Sequence, residues 1–280
     1  MVNRVSTSSI RERSSCVHMY PWDIDCSHGR ALKEELGIQF ILKRGSAYEG
    51  SPEKVIINWG SSAPAAHTRG SRWINDPAAV ATSVNKIATF RAMERAGVNH
   101  VPYTCNPAKA MEWLLEGHKV VCRDTVEGRE GAGLRIIDAT ALNLPVQGVP
   151  GFLGRVAAWL TNASQWPSTG LLGASPLFTR FVPSTREYRV HVVNGVAINV
   201  RRKAEEDFYN VTIYPQEVAT QAIAATRAVG LDFAGVDILW DNAMAWVLET
   251  NTAPGIGGLT VGRYASALRD LIRERHGIDF

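Results

Sequence analysis

The residue types best suited to metal chemistry in this chain are two acids and an amide in its C-terminal quarter, Asp237, Glu249 and Asn251. They fall in two apolar runs of strand length, 236–240 and 246–251, and the short loop between these runs predicts a β-hairpin. Carboxylate and amide oxygens are the ligands that a hard cation such as Mg²⁺ prefers. The pattern therefore predicts a divalent-metal site carried by a hairpin.

The register of this hairpin decides whether the three side chains meet. A loop that closes symmetrically sets Trp240 opposite Trp246 and Asp237 opposite Glu249, so that both acids project from one face. Asn251 follows Glu249 by two positions and shares that face. Two opposed carboxylates repel each other unless a cation lies between them. A solvated hairpin face with scattered acids is the alternative interpretation.

A glycine-rich stretch between two predicted strands indicates a second kind of chemistry. Residues 127–133 contain Gly128, Gly131 and Gly133, which let backbone N–H groups approach phosphate without an intervening Cβ. The preceding predicted strand ends at Arg123, and a guanidinium group neutralises phosphate and binds it bidentately. An ordinary hairpin loop beside a surface arginine is the alternative.

A second hairpin is predicted around the Asn-Gly pair at 194–195, which is the strongest short-range signal for a two-residue turn. Such a turn sets Arg189 opposite Val200 and Glu187 opposite Arg202, which places Glu187, Arg189 and Arg202 on one face. Cations that face a triphosphate stabilise the charge that develops during phosphoryl transfer. An exposed Glu–Arg cross-strand pair, worth less than about 1 kcal/mol, is the alternative.

Composition and charge limit the classes of protein that remain. The chain has 280 residues, 45% of them hydrophobic and 20% charged, which is enough for one large domain or two modest ones. A net charge of +3 is too small to argue for nucleic-acid binding. The sequence holds no apolar run long enough to predict a membrane span. Its four cysteines do not make a disulfide framework, which favours a cytoplasmic location.

Three regions are predicted along the chain from the order of helix and strand signals. Residues 1–15 form a polar leader that lacks the apolar segment of a secretory signal. Residues 16–75 form a small α/β domain, and residues 76–280 form a larger α+β domain. The helices predicted in the larger domain include 77–96, 152–163 and a last helix capped by Thr260.

A doubled Cys-x-His pattern near the start supplies four zinc-type side chains, Cys16, His18, Cys26 and His28. The familiar two-residue gap between zinc ligands is absent, and the one-residue gap directs both members of a pair to one side only on a strand. Unremarkable surface or core positions are the preferred interpretation, with zinc as the alternative.

Together these motifs resemble the ATP-grasp superfamily, which includes D-alanine–D-alanine ligase, prokaryotic glutathione synthetase and the glutamate ligases that extend ribosomal-protein tails. Gly-Val-Asp-Ile and then Val-Leu-Glu-Thr-Asn-Thr-Ala-Pro-Gly, between 235 and 255, look like the metal-binding end of that family. The resemblance implies that Asp237, Glu249 and Asn251 hold two Mg²⁺ (or Mn²⁺) ions. It covers about residues 80–275, is closest to the glutathione synthetase and ribosomal-protein glutamate ligase branch, and carries the motifs in the family's order.

The same resemblance implies an α+β (α/β) fold, in which two α+β subdomains grip ATP behind a short α/β preliminary domain. Main-chain groups near Arg180 and Val182 would read adenine, and Glu187 would accept hydrogen bonds from ribose. Most of the family has Lys where this chain has Arg123, and a guanidinium group supplies the same positive charge to phosphate. The implied nucleotide contacts are Lys86, Arg123, Gly128, Gly131, Gly133, Arg180, Val182, Glu187 and Asn210.

The implied activity is ATP- and Mg-dependent ligation of a carboxylate to an amine through an acyl phosphate, with formation of an amide or peptide bond. Arg189 and Arg202 would stabilise the transferring group. The implied partners are small-molecule or peptide carboxylates and amines, without nucleic acid or membrane, and a homo-oligomer stays open. Two alternatives also stay open, namely a kinase of the same fold acting on a hydroxyl group and a nucleotide-binding module without turnover.

Overall fold

The computed structural model of the protein describes residues 16–127, 133–139 and 172–280. Outside these ranges lie the predicted leader at 1–15, Gly128, Gly131 and the helix predicted at 152–163. The described residues build three β-sheets and six α-helices. Of these helices, none is both long enough and apolar enough to cross a bilayer.

The first sheet is parallel and has one helix packed beside it. Its strands are β1 (Val17–Pro21), β2 (Gln39–Phe40), β3 (Val55–Trp59) and β4 (Arg72–Ile74), in the spatial order β2-β1-β3-β4. Helix α1 (Ser27–Leu36) follows β1 and ends at Gly37, whose left-handed φ of 68° suits a glycine at a helix C-terminus. The strand and helix alternation predicted for residues 16–75 is thus present.

The helix predicted over 77–96 is two helices, α2 (Pro77–Val84) and α3 (Lys86–Arg95). Between them Asn85 adopts non-helical dihedrals, and its Oδ1 accepts a hydrogen bond of 3.0 Å from the N–H of Ala88. The single-helix prediction is wrong because the apolar periodicity does not register an N-cap residue inside the run. The break places Lys86 at the first position of α3.

A second sheet, entirely antiparallel, follows α3. Its strands are β5 (Tyr103–Thr104), β6 (Val120–Arg123), β7 (Leu134–Ile137) and β8 (Leu177–Arg180), in the order β5-β8-β6-β7. Helix α4 (Pro107–Leu115) packs on it through a small apolar core that includes Trp113 and Phe178.

The third sheet has five antiparallel strands. These are β9 (Arg186–Val193), β10 (Val196–Ala204), β11 (Asp207–Asn210), β12 (Phe233–Trp240) and β13 (Ala245–Asn251), in the order β11-β10-β9-β12-β13. One face packs apolar residues such as Val190, Val200 and Val236 against α3 and against α5 (Gln216–Ala228). Burial of this face directs the alternate, polar residues of each strand to the opposite face.

Helix α6 (Leu259–His276) joins the third sheet to the first, because Tyr264 shares one apolar core with Phe233 and Trp59. Thr260 lies inside the first turn of α6, where its Oγ1 accepts a hydrogen bond of 2.8 Å from Asn199 Nδ2. The prediction that Thr260 caps this helix is therefore wrong. Residue 258, a glycine with a φ of 53°, occupies the cap position.

Candidate active site

One residue from each strand of the third sheet lines up across its polar face. The register pairs Glu249 with Asp237, Asp237 with Arg189, Arg189 with Arg201, and Arg201 with Asn210. Directly opposed residues project from the same face of a sheet. We call these five residues the polar row; it holds two acids at one end, two guanidinium groups in the middle and an amide at the other end. The predicted Asp237–Glu249 pairing is confirmed.

A β-bulge in the β12–β13 hairpin produces this pairing. The loop is shorter than predicted, so Trp240 lies opposite Ala245, and the predicted Trp240–Trp246 pair is wrong. The register then shifts by one residue next to Asp237, with Leu248 as the additional residue. The two deviations cancel, and the acids face each other as the symmetrical loop predicted.

A second bulge lies in β10, where the register shifts between Ala197 and Asn199. As a result Arg189 faces Arg201, whereas the two-residue turn predicted Val200 at that position. A turn signal fixes the first pair of a hairpin but carries no information about a bulge further along. The sequence did contain a signal for this shift. The predicted register placed the apolar Val200 on the polar face, whereas Val200 packs in the core.

The shift removes Arg202 from the face predicted for it. Arg202 lies opposite Tyr188, and its guanidinium lies 5.0 Å from the centre of the Tyr209 ring. Glu187 instead forms an ion pair of 3.0 Å with Lys203, which shares a face with Arg201. The prediction that Glu187, Arg189 and Arg202 share a face is therefore wrong. Sequence reasoning missed Arg201 as the second arginine of the row.

Two cations hold the acids of the polar row. Arg189 donates from Nε and Nη2 to Asp237 Oδ1 and Oδ2 at 2.7 and 2.8 Å, a bidentate pair. Lys86 Nζ lies 2.8 Å from Glu249 Oε2. Asn251 Nδ2 lies 3.3 Å from Asp237 Oδ2. The structure thus brings together all three predicted metal ligands, the predicted phosphate lysine and one predicted catalytic arginine.

Burial acts to raise the pKa of each of the two acids, whereas the neighbouring cations act to lower it. Burial raises the pKa of Asp237 to about 6, although Arg189 opposes the effect. Burial also acts to raise the pKa of Glu249, but the nearby charge of Lys86 and its hydrogen bond bring that pKa below its usual value. Two opposed carboxylates favour any cation that reaches them, because each cation offsets their mutual repulsion.

Arg123 supplies a further buried cation at the end of β6. It is 8% exposed, and its Nε has no hydrogen-bond partner among the described residues. Burial lowers its pKa, whereas the charge of Glu249 raises it. A buried donor without an acceptor costs about 1–3 kcal/mol, so an anionic ligand that accepts from Arg123 gains that energy. The predicted phosphate contact fits this position.

The glycine-rich segment begins beside these cations. The N–H of Lys86 donates to Val126 O at 3.0 Å, and the N–H of Asp124 donates to Gly133 O at 3.0 Å. Gly133 has a φ of 71°, and a Cβ there would lie 3.3 Å from that of Asp124. The two ends of the predicted phosphate loop therefore stand next to Lys86 and Arg123.

The segment predicted to read adenine follows β8. The N–H of Arg180 donates to Pro102 O at 2.9 Å, whereas that of Val182 donates to no group in the described part of the chain. A free main-chain donor at Val182 suits the predicted base contact. The nucleotide roles of Arg180, Val182 and Glu187 stay predictions, as does that of Asn210, whose Oδ1 accepts from Asn199 Nδ2 at 2.9 Å.

A cleft of about 650 Å³ opens beside the acidic end of the polar row. One wall comes from α2, α3 and the segment after β13. The other wall comes from the first sheet and its helix, and it consists of Trp22, Cys26, His28, Gly60 and Ser62. The cleft thus connects the predicted metal ligands to the unit formed by residues 16–75.

Only one half of the doubled Cys-x-His pattern reaches this cleft. Cys26 and His28 line it, whereas the ring of His18, on β1, packs edge-on against Tyr48 at 4.8 Å. In residues 16–127, 133–139 and 172–280 no three His, Cys, Asp or Glu side chains are arranged to hold a metal ion. The interpretation of these four positions as ordinary surface and core residues stays a prediction.

A family model matches the part of the chain that carries the polar row. Residues 184–268 match the RimK-like ATP-grasp domain, a range that includes the polar row on all five strands. This segment of the chain is therefore similar to the RimK-like ATP-grasp domain. The predicted fold class is confirmed by the similarity to solved ATP-grasp structures.

Two relatives with curated names are both named probable alpha-L-glutamate ligases. A probable alpha-L-glutamate ligase of Hydrogenovibrio crunogenus is 27% identical over 205 residues, which cover 66% of this chain and 61% of that protein. A second, from Syntrophotalea carbinolica, is 26% identical over 222 residues, which cover 72% of this chain and 67% of that protein. The chain thus spans about three fifths of the length of the first of these relatives.

Solved structures support the fold over most of the chain. The ATP-grasp ligase PsnB complexed with a minimal precursor superposes with a TM-score of 0.64 at 18% identity, covering 91% of this chain and 98% of that one. The macrocyclase MdnB from Microcystis aeruginosa MRC superposes with a TM-score of 0.58 at 15% identity, covering 92% and 99%. These similarities establish the ATP-grasp fold.

Proposed function

We propose that this protein is an ATP- and Mg-dependent carboxylate–amine ligase that forms an amide or peptide bond through an acyl phosphate. The observation that carries the proposal is that Glu249, Lys86 and Arg189 line one end of a cleft. Behind them, Arg189 holds the buried Asp237 in an ion pair, and the charge of Glu249 acts on the buried Arg123. Phosphoryl transfer requires this mixture, because it depends on positioning and on neutralising phosphate charge.

The donor set fits a hard divalent cation. Asp237, Glu249 and Asn251 offer only oxygen ligands on neighbouring strands, and Mg²⁺ (or Mn²⁺) commonly adds phosphate oxygens and water to a few carboxylates. Such an ion, when bound, neutralises the phosphate oxygens and orients them. Arg189 and Lys86 already reduce the repulsion between the two acids, which keeps the ligand set in place without a metal.

In the proposed reaction a carboxylate oxygen of the first substrate attacks the γ-phosphorus of ATP. The bond from this phosphorus to the β–γ bridging oxygen breaks, and ADP leaves. The amine nitrogen of the second substrate then attacks the acyl carbon, the carbon–oxygen bond to phosphate breaks, and the nitrogen releases a proton to solvent. Lys86 and Arg123 hold the phosphates, and Arg189 and Arg201 face the transferring group.

The substrate classes that we propose are small-molecule or peptide carboxylates and amines, as for the glutamate ligases and the precursor-bound PsnB to which the chain is similar. We also propose a cytoplasmic location, which agrees with four cysteines that form no disulfide. We also propose that the chain divides into two domains, residues 16–75 and 76–280, and that it forms a homo-oligomer.

Trapping with hydroxylamine tests the reaction. The protein is incubated with Mg-ATP, hydroxylamine and panels of amino acids and short peptides. We expect ADP and a hydroxamate of one carboxylate, because hydroxylamine intercepts acyl phosphates. Glu249→Gln should lower the ADP rate by about 100-fold or more, since it removes a charged metal ligand. Glu274→Gln, a change of the same kind in the last turns of α6, should leave the rate unchanged.

Two results would contradict the proposal. A stable phosphorylated product without hydroxamate would favour a kinase acting on a hydroxyl group. Parent activity in the Glu249→Gln variant would show that the metal assignment is wrong.

A further inference from the structure

We propose that His28 and Arg189 together bind a free carboxylate of the substrate in the cleft beside the polar row, an assignment that rests on the proposed function for the identity of the bound group. The substrate class is an amino acid or a peptide with a free carboxylate. Among the described residues, His28 is the one ring of the doubled Cys-x-His pattern that lines the cleft.

The two side chains meet at the backbone of Gly255. A Cβ built on Gly255 would lie 3.7 Å from Arg189 Nη1, 3.7 Å from His28 Cε1 and 3.9 Å from His28 Nε2. Two nitrogen groups from different units of the fold therefore approach one point on the cleft wall. A carboxylate has two oxygens and accepts from two such donors at once. The bare backbone of Gly255 keeps the space between them open.

Both side chains have hydrogen-bonding capacity that the fold does not use. Arg189 donates from Nε and Nη2 to Asp237, and its guanidinium lies 4.6 Å from the centre of the Phe208 ring. These contacts fix the plane of the guanidinium and leave Nη1 directed toward Gly255. His28 is exposed and has no hydrogen bond or ion pair to any other described residue.

The local charge favours an anion at this point. The acids nearest to Arg189 and Lys86 are already paired with them, as Asp237 and Glu249. His28 belongs to the first turn of α1, which contains no acidic residue. Glu127 is the other acid that lines the cleft. A substrate carboxylate bound here lies next to the acids that hold the metal, where the proposed phosphoryl transfer takes place.

Cys26 offers a reporter for this site that needs neither nucleotide nor turnover. It is a free thiol that lines the same cleft, and Cys105 is a free, exposed thiol elsewhere on the chain. Iodoacetate and iodoacetamide both alkylate a thiolate, with formation of a sulfur–carbon bond and loss of iodide, but only iodoacetate carries a carboxylate. The ratio of the two rates at Cys26, relative to that at Cys105, therefore measures local attraction for a carboxylate.

We expect this relative ratio, followed by mass spectrometry of the two peptides, to exceed one by about threefold, the size of a partly exposed charge interaction. His28→Gln should lower this ratio toward one, with the remaining preference due to Arg189, while the iodoacetamide rate and the melting temperature stay unchanged. Lys33→Gln, which removes a charge from a later turn of α1, is the matched control and should preserve the ratio.

Competition identifies the anion. L-Glutamate should suppress the iodoacetate preference at Cys26 at a lower concentration than inorganic phosphate does at equal ionic strength. Equal suppression by both anions, or a ratio that His28→Gln does not change, would overturn the carboxylate assignment. Because no ATP is present, this result is separate from the hydroxylamine test, so that either proposal can fail alone.

Discussion

Arg123 has an unused hydrogen-bond donor that indicates a bound ligand. Its guanidinium is buried and carries an Nε without a partner among the described residues, although a fold usually satisfies such a group. The nearest charge that acts on it is Glu249, a predicted metal ligand. A structural arginine would use its donors within the fold, so the unused donor argues for a phosphate.

We therefore expect Arg123→Ala to weaken ATP binding by about tenfold or more, the loss of about one charge-assisted hydrogen bond. The melting temperature without nucleotide should change little, because the packing that is lost is offset by removal of a buried charge and of a donor without an acceptor. Titration calorimetry and thermal unfolding measure the two quantities, and Arg123→Lys should restore most of the affinity. A large loss of stability with unchanged affinity would show that Arg123 is structural.

At the scale of the element, two β-bulges decide which side chains reach the site. The bulge in β13 restores the opposition of Asp237 and Glu249 after a shorter loop has displaced it. The bulge in β10 brings Arg201, and not Arg202, opposite Arg189. One residue of register moves a side chain from one face of a sheet to the other. The chemistry of the polar row thus depends on irregularities as much as on residue types.

Two neighbouring arginines test this register. We expect Arg201→Gln to lower kcat of the ADP-forming reaction by about tenfold or more, because it removes a cation that faces the transferring group. Arg202→Gln should change kcat by less than about twofold, since that guanidinium lies over an exposed tyrosine ring. The two variants have the same charge and composition, so each controls for the other. The reverse order of effects would mean that the regular hairpin register holds in solution.

The sequence predicted the features that depend on residue type, but it did not predict the strand registers or the break between α2 and α3. The ligand set, the Lys86 position and the ATP-grasp fold follow from motifs, and the structure brings those residues together. The Asn85 cap and both bulges lie inside regular patterns, where periodicity gives no signal for one residue more or less. The cleft residues Cys26 and His28 come from a separate unit, and their approach to Arg189 depends on tertiary packing alone.

At the scale of the whole molecule, the first sheet, the third sheet and α6 meet in one core around Tyr264. His191, two residues along β9 from Arg189, lies fully buried in this region and contacts Tyr264 Oη through Nδ1 at 3.1 Å. Burial, with the charges of Arg189 and Arg201, lowers its pKa to about 3. The folded protein therefore holds a neutral imidazole at the junction of its parts.

The buried His191 predicts how the free energy of unfolding depends on pH. The unfolded chain protonates His191 below the ordinary histidine pKa of 6.5, whereas the folded chain does so only near 3, so its contribution to stability is complete above pH 6.5 and is lost as the pH falls toward 3. The loss is up to about 1.4 kcal/mol per pH unit for this one group. Asp237 acts with the opposite sign between its usual pKa and about 6, because burial favours its protonated form.

Urea unfolding of the metal-free protein between pH 4 and 8 measures the balance of these two groups, with the pH range set by their pKa values. We expect His191→Gln to flatten the dependence on acid, because the amide keeps a polar contact to Tyr264 without taking up a proton. His118→Gln, at an exposed histidine, should retain the parent slope. Equal slopes in the parent and the His191→Gln variant would mean that this imidazole is protonated at the ordinary histidine pKa. The core that joins the three parts would then admit water, or open in acid before the rest of the molecule unfolds.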